Sequence, residues 1–439
     1  MGPFLRINKL EKENVINQLF YLSKESLKHI VLYSGCGIQT SVKELKIKNI
    51  SNLDINIFSS VSPLLCIYKK ADPKLNSGGN IRSWNSDKFK REINITGNAF
   101  MTLSLLQLCK YYQGFKSTEP RKYFLGEVYK TLSKNQLEFY ACHFRSREGV
   151  FVDKIDVTEG LSDKLTFNDK GKKFKYSSQA LLMAAFYMCG SLLDNNEVEN
   201  YKSFSMEILK MLLEYREELY SCSFNELTLI CLGLNVFYSC SKNEECRVLL
   251  LDLCELLVEK AVSCFDFCYA YINSLLFYRS SGLNHFKVVC EDIYSKLTEL
   301  YRRETGVFIP DIESKEIDFT CVDTISYLLC MLSGEDPSIG TEVFKRHVLD
   351  SGIILSWPEA PDIGDIERYR DFSAKSEDLL DDQNFRMPSV PSPESSELAP
   401  VFTKYVTYNL KKDTFTVSSP SFDSTKNMMI FFLILNLYP

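Results

Sequence analysis

The chain has 439 residues, of which 45% are hydrophobic, so it is long enough to bury a large core. Its formal net charge is -6, and this acidic balance argues against nucleic acid as an electrostatically bound partner. Four histidines, the absence of any Cys-x-x-Cys spacing and the absence of a glycine-rich nucleotide fingerprint give no basis for a metal or an organic cofactor, so we expect none.

Residues 1–95 differ from the rest of the chain and predict a small N-terminal α+β element. An amphipathic stretch at residues 14–22 is followed by three short runs that favour β-strands, at residues 30–33, 53–58 and 64–68. The first residues lack the apolar segment of a secretory signal peptide.

The chain has fifteen cysteines, an odd number, and their distribution is typical of a protein from a reducing compartment. Many of them fall inside apolar helical segments, where a reduced thiol behaves as a small hydrophobic group. Together with the missing signal segment, this usage predicts a cytoplasmic protein.

Six segments read as helices that are apolar all the way round, and such helices have to be buried on every side. The third has a defined start, because Ser223 and Glu226 have capping-box spacing. None of the six reaches the ~18 apolar residues of a membrane span, so no span is expected. In chain order the six inner segments are 98–112, 178–193, 225–240, 265–278, 319–332 and 428–438.

Amphipathic stretches alternate with the inner segments and are predicted to form an outer layer. The last inner segment has no such stretch after it, so residues 14–22 are predicted to supply its partner and close a ring. The other outer segments are 122–137, 204–215, 245–262, 286–303 and 342–349.

Two turns between outer and inner segments carry the same motif. Residues 147–153 read Arg-Glu-Gly-Val-Phe-Val-Asp, and residues 304–311 read Glu-Thr-Gly-Val-Phe-Ile-Pro-Asp. Gly149 and Gly306 are expected to take a positive φ at a helix end, and the phenylalanine that follows is expected to fill space between the layers. A unit that recurs in this way is typical of repeat folds.

With Gln136 in the preceding helix, this punctuation resembles that of the α/α-toroid superfamily, which includes six-hairpin glycosidases, terpenoid cyclases, prenyltransferases and complement-type thioester domains. The resemblance concerns architecture alone and covers roughly residues 98–439. It implies an all-α fold, in which residues 96–439 form an α/α toroid of about six helical hairpins behind the α+β element of residues 1–95.

An irregular region interrupts the predicted ring at residues 359–400. It is first acidic and then proline-rich, a composition typical of a lid, a binding loop or a disordered linker. Weak alternation over residues 401–408 and 414–418 then favours a β-hairpin.

Aspartates that precede inner helices are the candidate site residues, because the toroidal glycosidases of this group place an acid and a base at one mouth of the ring. Asp153 and Asp311 follow the two glycine turns and are the candidate catalytic pair. Asp318, Asp423 and Trp357 are candidate binding residues, the last because a tryptophan can stack on a sugar ring. The alternative is that the aspartates only complement helix dipoles.

A second motif concerns Cys36. The run Gly35-Cys36-Gly37-Ile38-Gln39 is similar to the Gly-Cys-Gly-Glu-Gln thioester motif of complement-type toroids, but Ile38 replaces the glutamate. We therefore expect Cys36 to be an ordinary thiol.

No motif decides the function. Few histidines, few tryptophans and an unbroken apolar interior favour a cytosolic binding or assembly scaffold whose partner is unknown. The first alternative is a carbohydrate-active, glycoside hydrolase-like enzyme with acidic residues at the mouth of the ring. The second is a binder of an isoprenoid or another hydrophobic small molecule, because the inner segment 265–278 is rich in aromatic residues.

Overall fold

The computed structural model describes residues 11–45, 47, 61–76, 83–159, 164–171, 173–193, 197–310, 314–361, 365, 367, 391–393 and 396–439. The N-terminal part contains the helix α1 (Lys12–Leu32) and four short strands. These strands are β1 (Gly37–Gln39), β2 (Leu64–Ile67), β3 (Lys70–Ala71) and β4 (Glu92–Ile93).

Two of the three strand predictions in this part can be compared with the structure. The run at residues 64–68 contains β2, as predicted. The prediction of a strand at residues 30–33 is wrong. Ile30, Val31 and Leu32 form the end of α1 and are fully buried there. Burial in a tertiary core overrides the β-propensity of branched side chains. The run at residues 53–58 lies outside the described residues.

From residue 95 the chain is dominated by helices. In chain order they are α2 (Ile95–Gln113), α3 (Pro120–His143), α4 (Tyr176–Leu192), α5 (Val198–Glu214), the short α6 (Arg216–Tyr220), α7 (Phe224–Ser241), α8 (Glu244–Lys260), α9 (Cys264–Ser281), α10 (Asn284–Glu299), α11 (Cys321–Ser333), α12 (Pro337–Val343) and α13 (Ser424–Leu437). A π-helical turn at Phe344–Leu349 continues α12.

Six of these helices form a closed inner ring in the described part of the chain. Helices α2, α4, α7, α9, α11 and α13 each pack on the next, and α13 packs on α2. Helices α3, α5, α8, α10 and α12 each pack outside the inner helix that precedes them, and α1 packs on α13. The chain is therefore an α/α toroid, and the predicted pairing of residues 14–22 with the last inner segment is confirmed.

The two layers follow from the two hydrophobic patterns. On the inner helix α4 every residue from 177 to 186 is buried. On the outer helix α5 the buried residues are spaced along one stripe, at Tyr201, Ser205, Ile208, Leu209 and Leu212. A helix without a polar face needs neighbours on every side, whereas a striped helix needs them on one side.

The two glycine turns have the expected geometry. Gly149 has a φ of +87° and Gly306 a φ of +68°. The ring of Phe151 lies 6.2 Å from Phe186 of the inner helix α4 and 6.2 Å from Phe204 of the outer helix α5. It therefore fills space between the two layers, as predicted.

The remaining strands are short and lie in connections from outer to inner helices. They are β5 (Lys154–Asp156), β6 (Phe167–Asp169), β7 (Tyr301–Arg302), β8 (Val307–Phe308), β9 (Glu316–Thr320), β10 (Tyr405–Asn409), β11 (Thr414–Val417) and β12 (Phe422–Asp423). The predicted hairpin is the antiparallel pair of β10 and β11, and β9 adds a third strand to it.

One end of the ring carries most of the irregular structure. Each inner helix follows an outer helix, and the six inner helices all run in one direction. All six therefore begin at the same end of the ring, which we call the N-terminal mouth. All described strands lie in connections that lead into this mouth, whereas the connections at the opposite end are short. Among the described residues, no helix combines the length and apolarity needed to cross a membrane.

Candidate active site at the N-terminal mouth

Each inner helix places a polar side chain in its first two turns. The hydroxyls of Thr96 and Ser178, on neighbouring helices, lie 3.1 Å apart. The hydroxyls of Thr228, Thr324 and Ser424 are buried without a hydrogen-bond partner among the described residues. Buried hydroxyls normally have a partner, so these groups have hydrogen-bonding capacity left for an internal water.

Asp323 is a carboxyl group at the mouth that is held by residues of two inner helices. It lies in the first turn of α11, where Thr320 donates its hydroxyl to Oδ2 of Asp323 at 2.6 Å. The hydroxyl of Tyr269, on the adjacent inner helix α9, donates to Oδ1 at 3.1 Å. Two inner helices therefore fix the position of this carboxyl group.

Burial raises the pKa of Asp323 above its ordinary value. The hydrogen bonds from Thr320 and Tyr269 and the charge of Lys426 act in the opposite direction, but burial outweighs them. The side chain is nevertheless partly accessible to solvent. A carboxyl group whose pKa is raised and that remains accessible is suited to act as a general acid.

Asp423 is a predicted site residue at the start of α13, the inner helix that packs against α11. It caps the start of α13 by accepting a hydrogen bond from the backbone N–H of Lys426 at 3.2 Å. Burial raises the pKa of the Cys321 thiol to about 12, and the charges of Asp423 and Asp323 both add to this rise. The two carboxylates therefore both act on one thiol at the start of α11.

Asp153 lies at the same mouth, but neighbouring groups occupy its carboxylate. It accepts hydrogen bonds from the backbone N–H of Ile95 at 2.9 Å and from the amide of Asn94 at 3.1 Å, and it lies 3.1 Å from the ammonium of Lys175. These contacts fix the start of α2. Asp311 lies outside the described residues, so the carboxylate pair of Asp153 and Asp311 stays a prediction.

The two remaining predicted residues do not join this group. Asp318 is exposed on β9 and accepts a hydrogen bond from the hydroxyl of Thr407 at 2.5 Å on the neighbouring strand. Trp357 has no exposed surface. The prediction that Trp357 stacks on a sugar is therefore wrong for this structure, because a buried indole offers no ring face to a ligand.

The four histidines lie outside the inner helices. None of them falls in the first two turns of an inner helix. His29 accepts a hydrogen bond from the indole N–H of Trp84 at 2.9 Å, and burial lowers the pKa of His347 to about 3. In the part of the chain that the structure describes, no three His, Cys, Asp or Glu side chains are grouped as a metal site requires. The starts of the inner helices therefore carry carboxyl groups but no histidine.

A separate cavity of about 450 Å³ lies on the outer wall, between α1 and α3. Pro358 and residues 359–361 of the irregular region form part of its wall. An ion-pair network lies beside it. Glu367 lies 2.5 Å from the ammonium of Lys24 and 2.5 Å from that of Lys122. We call Glu367, Lys24 and Lys122 the Glu367 clamp. It holds one part of the irregular region on two outer helices.

Sequence reasoning missed Asp323, although one local signal was present. Thr320 and Asp323 have the spacing of a helix N-cap and its third helical residue. The contact with Tyr269, 54 residues away, is tertiary and has no local signature.

Comparisons with known proteins give structural matches only. Neither a protein-family model nor a curated protein matches this sequence. Three solved structures that match over most of the chain are those of an endoglucanase from the termite Nasutitermes takasagoensis, a cellobiose 2-epimerase from Bacillus thermoamylovorans and a family 76 glycoside hydrolase (mannosidase) from Bacteroides thetaiotaomicron.

The matches are long but remote. The endoglucanase has a TM-score of 0.48 and 9% identity, with 98% of this chain and 99% of its own covered. The epimerase has a TM-score of 0.47 and 9% identity, with 79% of this chain and 89% of its own covered. The family 76 enzyme has a TM-score of 0.43 and 8% identity, with 97% of this chain and 98% of its own covered. At such identities the likeness concerns the fold.

One expectation from the sequence has to be corrected here. The first interpretation was a non-catalytic binding or assembly scaffold. The three matched structures are all of enzymes named for carbohydrates. This finding contradicts the scaffold interpretation.

Proposed function

We propose that this protein is a carbohydrate-active enzyme whose sugar site is the N-terminal mouth, with Asp323 as the proton donor. One observation carries the proposal. Asp323 has a raised pKa, is partly accessible to solvent, and is held by Tyr269 at the end of the ring where all six inner helices begin. A carboxyl group with these properties is suited to protonate a leaving oxygen.

Asp423 supplies the second carboxylate. In glycoside hydrolysis one carboxyl group protonates the glycosidic oxygen, and the other acts as a nucleophile or activates water. Asp423 starts α13, which is adjacent to α11 in the ring, and its carboxylate accepts a single hydrogen bond among the described residues. The pair predicted from the sequence, Asp153 and Asp311, is the alternative set of acids at the same mouth.

We also propose that the protein functions in the reducing cytoplasm. All fifteen cysteines are free thiols in the structure, and most are buried. Burial raises the pKa of thiols such as Cys36, Cys109 and Cys246, which keeps them protonated and unreactive. Finding the natural protein with intramolecular disulfides would contradict this assignment.

The experiment is a screen of the purified protein against oligosaccharides and aryl glycosides, followed by the variant Asp323→Asn on any substrate that reacts. We expect Asp323→Asn to lower kcat by about 10² to 10⁴, the range for loss of a general acid. Asp292→Asn, on the exposed side of the outer helix α10, is the matched control and should keep full activity. Unchanged kcat in Asp323→Asn, or no reaction with any carbohydrate, would contradict the proposal.

A further inference from the structure

Three lysine ammonium groups converge on the carboxylate of Glu92 at the edge of the N-terminal mouth. The ammonium of Lys90 lies 2.8 Å from Oε1 of Glu92, and that of Lys69 lies 3.8 Å from Oε2. Lys170 donates a hydrogen bond to the same Oε2. We call Lys69, Lys90 and Lys170 the lysine cluster.

Backbone pairing places the lysine cluster beside the candidate acid Asp423. In the pairing of β3 with β12, Lys70 lies opposite Asp423. The backbone N–H of Ser424 donates to the carbonyl of Lys69 at 3.0 Å, and the N–H of Lys69 donates to the carbonyl of Glu92 at 2.7 Å. The cluster is therefore held at the start of α13, where Asp423 also lies.

The cluster has three ammonium groups and one carboxylate in direct contact with them, while Asp423 and Asp153 act on Lys69 and Lys170 from farther away. In the part of the chain that the structure describes, Glu92 is the one carboxylate within 4.0 Å of any of the three ammonium groups. Burial acts to raise the pKa of Glu92, but the hydrogen bonds and charges of Lys170 and Lys90 lower it to about 2. Burial and the charge of Lys170 also lower the pKa of Lys69, as expected when like charges are held together.

Three ammonium groups share one directly paired carboxylate here, in a chain whose net charge is -6. The cluster side chains are between 29% and 54% exposed, so they are partly desolvated but open to a ligand. An ammonium group is a compact charge with three hydrogen-bond donors, which suits a carboxylate or a sulfate.

We propose that the lysine cluster binds an anionic group of the carbohydrate, a uronate carboxylate or a sugar sulfate, and so positions an acidic saccharide beside Asp423. This inference rests on the proposed function and names the substrate class of the same mouth. The cluster would attract such a saccharide to the mouth and counter the repulsion from the overall negative charge of the protein.

The first test compares ligands that differ only in charge. Binding of a galacturonate trimer, a sulfated galactose trimer and a neutral galactose trimer is measured by calorimetry at about 50 mM and about 200 mM salt. We expect the anionic trimers to bind at least about tenfold more tightly than the neutral one at low salt, with the difference shrinking at high salt. The carboxylate and sulfate arms identify which anion the site prefers. Equal affinity for all three trimers would overturn the inference.

The second test uses variants of the cluster. Lys170→Gln and Lys69→Gln should each weaken binding of the preferred anion severalfold. Lys210→Gln on α5, whose side chain is 79% exposed, is the control and should have no effect. Glu92→Gln removes the carboxylate that competes with the ligand, so it should tighten anion binding.

A purely structural role for these ion pairs predicts a lower melting temperature for Glu92→Gln and no gain in anion affinity. Unchanged or weaker anion binding by a folded Glu92→Gln variant would therefore overturn the inference. If this variant does not fold, the anion affinity of Lys170→Gln and the salt dependence of binding test the inference instead. An anion affinity in Lys170→Gln equal to that of the parent protein would then contradict it.

The inference and the proposed function fail in different ways. Turnover of neutral sugars that depends on Asp323 and is unaffected by Lys170→Gln refutes the inference and keeps the function. Binding of anionic saccharides that depends on the cluster, without any turnover, supports the cluster as a binding site and refutes the enzyme.

Discussion

Replacing Glu367 by glutamine tests the buried ion pairs that fix the irregular region to the outer wall. The Glu367 carboxylate contacts Lys24 and Lys122 and accepts a hydrogen bond from the hydroxyl of Tyr111 at 3.0 Å. Its side chain is 4% exposed, and that of Lys24 is fully buried. Glutamine keeps the shape of glutamate but leaves the ammonium of Lys24 buried with only Glu25 near it, at 3.5 Å, among the described carboxylates.

Two arguments give the magnitude. Breaking a buried ion pair by removing one partner costs about 3 to 5 kcal/mol. Separately, burial acts to raise the pKa of Glu367, but Lys24 and Lys122 lower it from 4.5 to about 2. A shift of this size corresponds to about 3 kcal/mol of stabilisation at neutral pH. We therefore expect Glu367→Gln to lower the free energy of unfolding by about 3 kcal/mol at pH 7.

The sign of the pH dependence follows from the lowered pKa. The stabilisation by Glu367 is fully present above its ordinary pKa of 4.5 and is lost as the pH falls through its folded value of about 2. The difference between the parent protein and Glu367→Gln should therefore be largest near neutrality and should shrink over this acid range.

The assay is denaturant unfolding of both proteins across that range. Glu342→Gln is the control, because Glu342 pairs with Lys345 at 2.8 Å on the surface, with side chains 49% and 30% exposed. We expect the control to change stability by less than about 1 kcal/mol. A Glu367→Gln variant as stable as the parent at pH 7, or a difference that does not depend on pH, would refute the reasoning.

Three further predictions concern the turns, a thiol and the candidate acid. Gly149→Ala and Gly306→Ala should each cost about 1 kcal/mol or more because both glycines have positive φ, whereas Gly171→Ala, at an ordinary φ with open space around it, should be neutral in thermal unfolding. Cys36 should be an ordinary thiol, and an intact mass lower by one ammonia, restored by methylamine, would instead reveal a thioester. Asp323→Asn should raise Tm at neutral pH, because a raised pKa means that stability is lost as the carboxyl ionises, and an equal or lower Tm counts against the raised pKa.

The ring was predictable because the two helix layers have different patterns of apolar residues in the sequence. Helices buried on every side need an apolar residue at nearly every position, and helices that cover them need a single stripe. The closing helix followed from counting, since the last inner segment lacked a partner. The positive φ of Gly149 followed from the motif, because glycine adopts that conformation without strain.

The site was less predictable because its contacts join distant segments. Asp323 meets Tyr269 from another inner helix, and the lysine cluster gathers three lysines around Glu92 from separate parts of the chain. Hydrophobic periodicity carries no information on such polar contacts. Trp357 was also mispredicted. Its residue type suggested that it stacks on a sugar ring, but its burial depends on the whole fold and is not visible in the local sequence.

The most direct test of the central claim is a crystal structure of the Asp323→Asn variant with a bound oligosaccharide. The account predicts a sugar in the N-terminal mouth, with a glycosidic oxygen within about 3 Å of the amide of residue 323 and the sugar ring between it and Asp423. A sugar bound at the outer cavity between α1 and α3, with the mouth filled by protein side chains, would contradict the account.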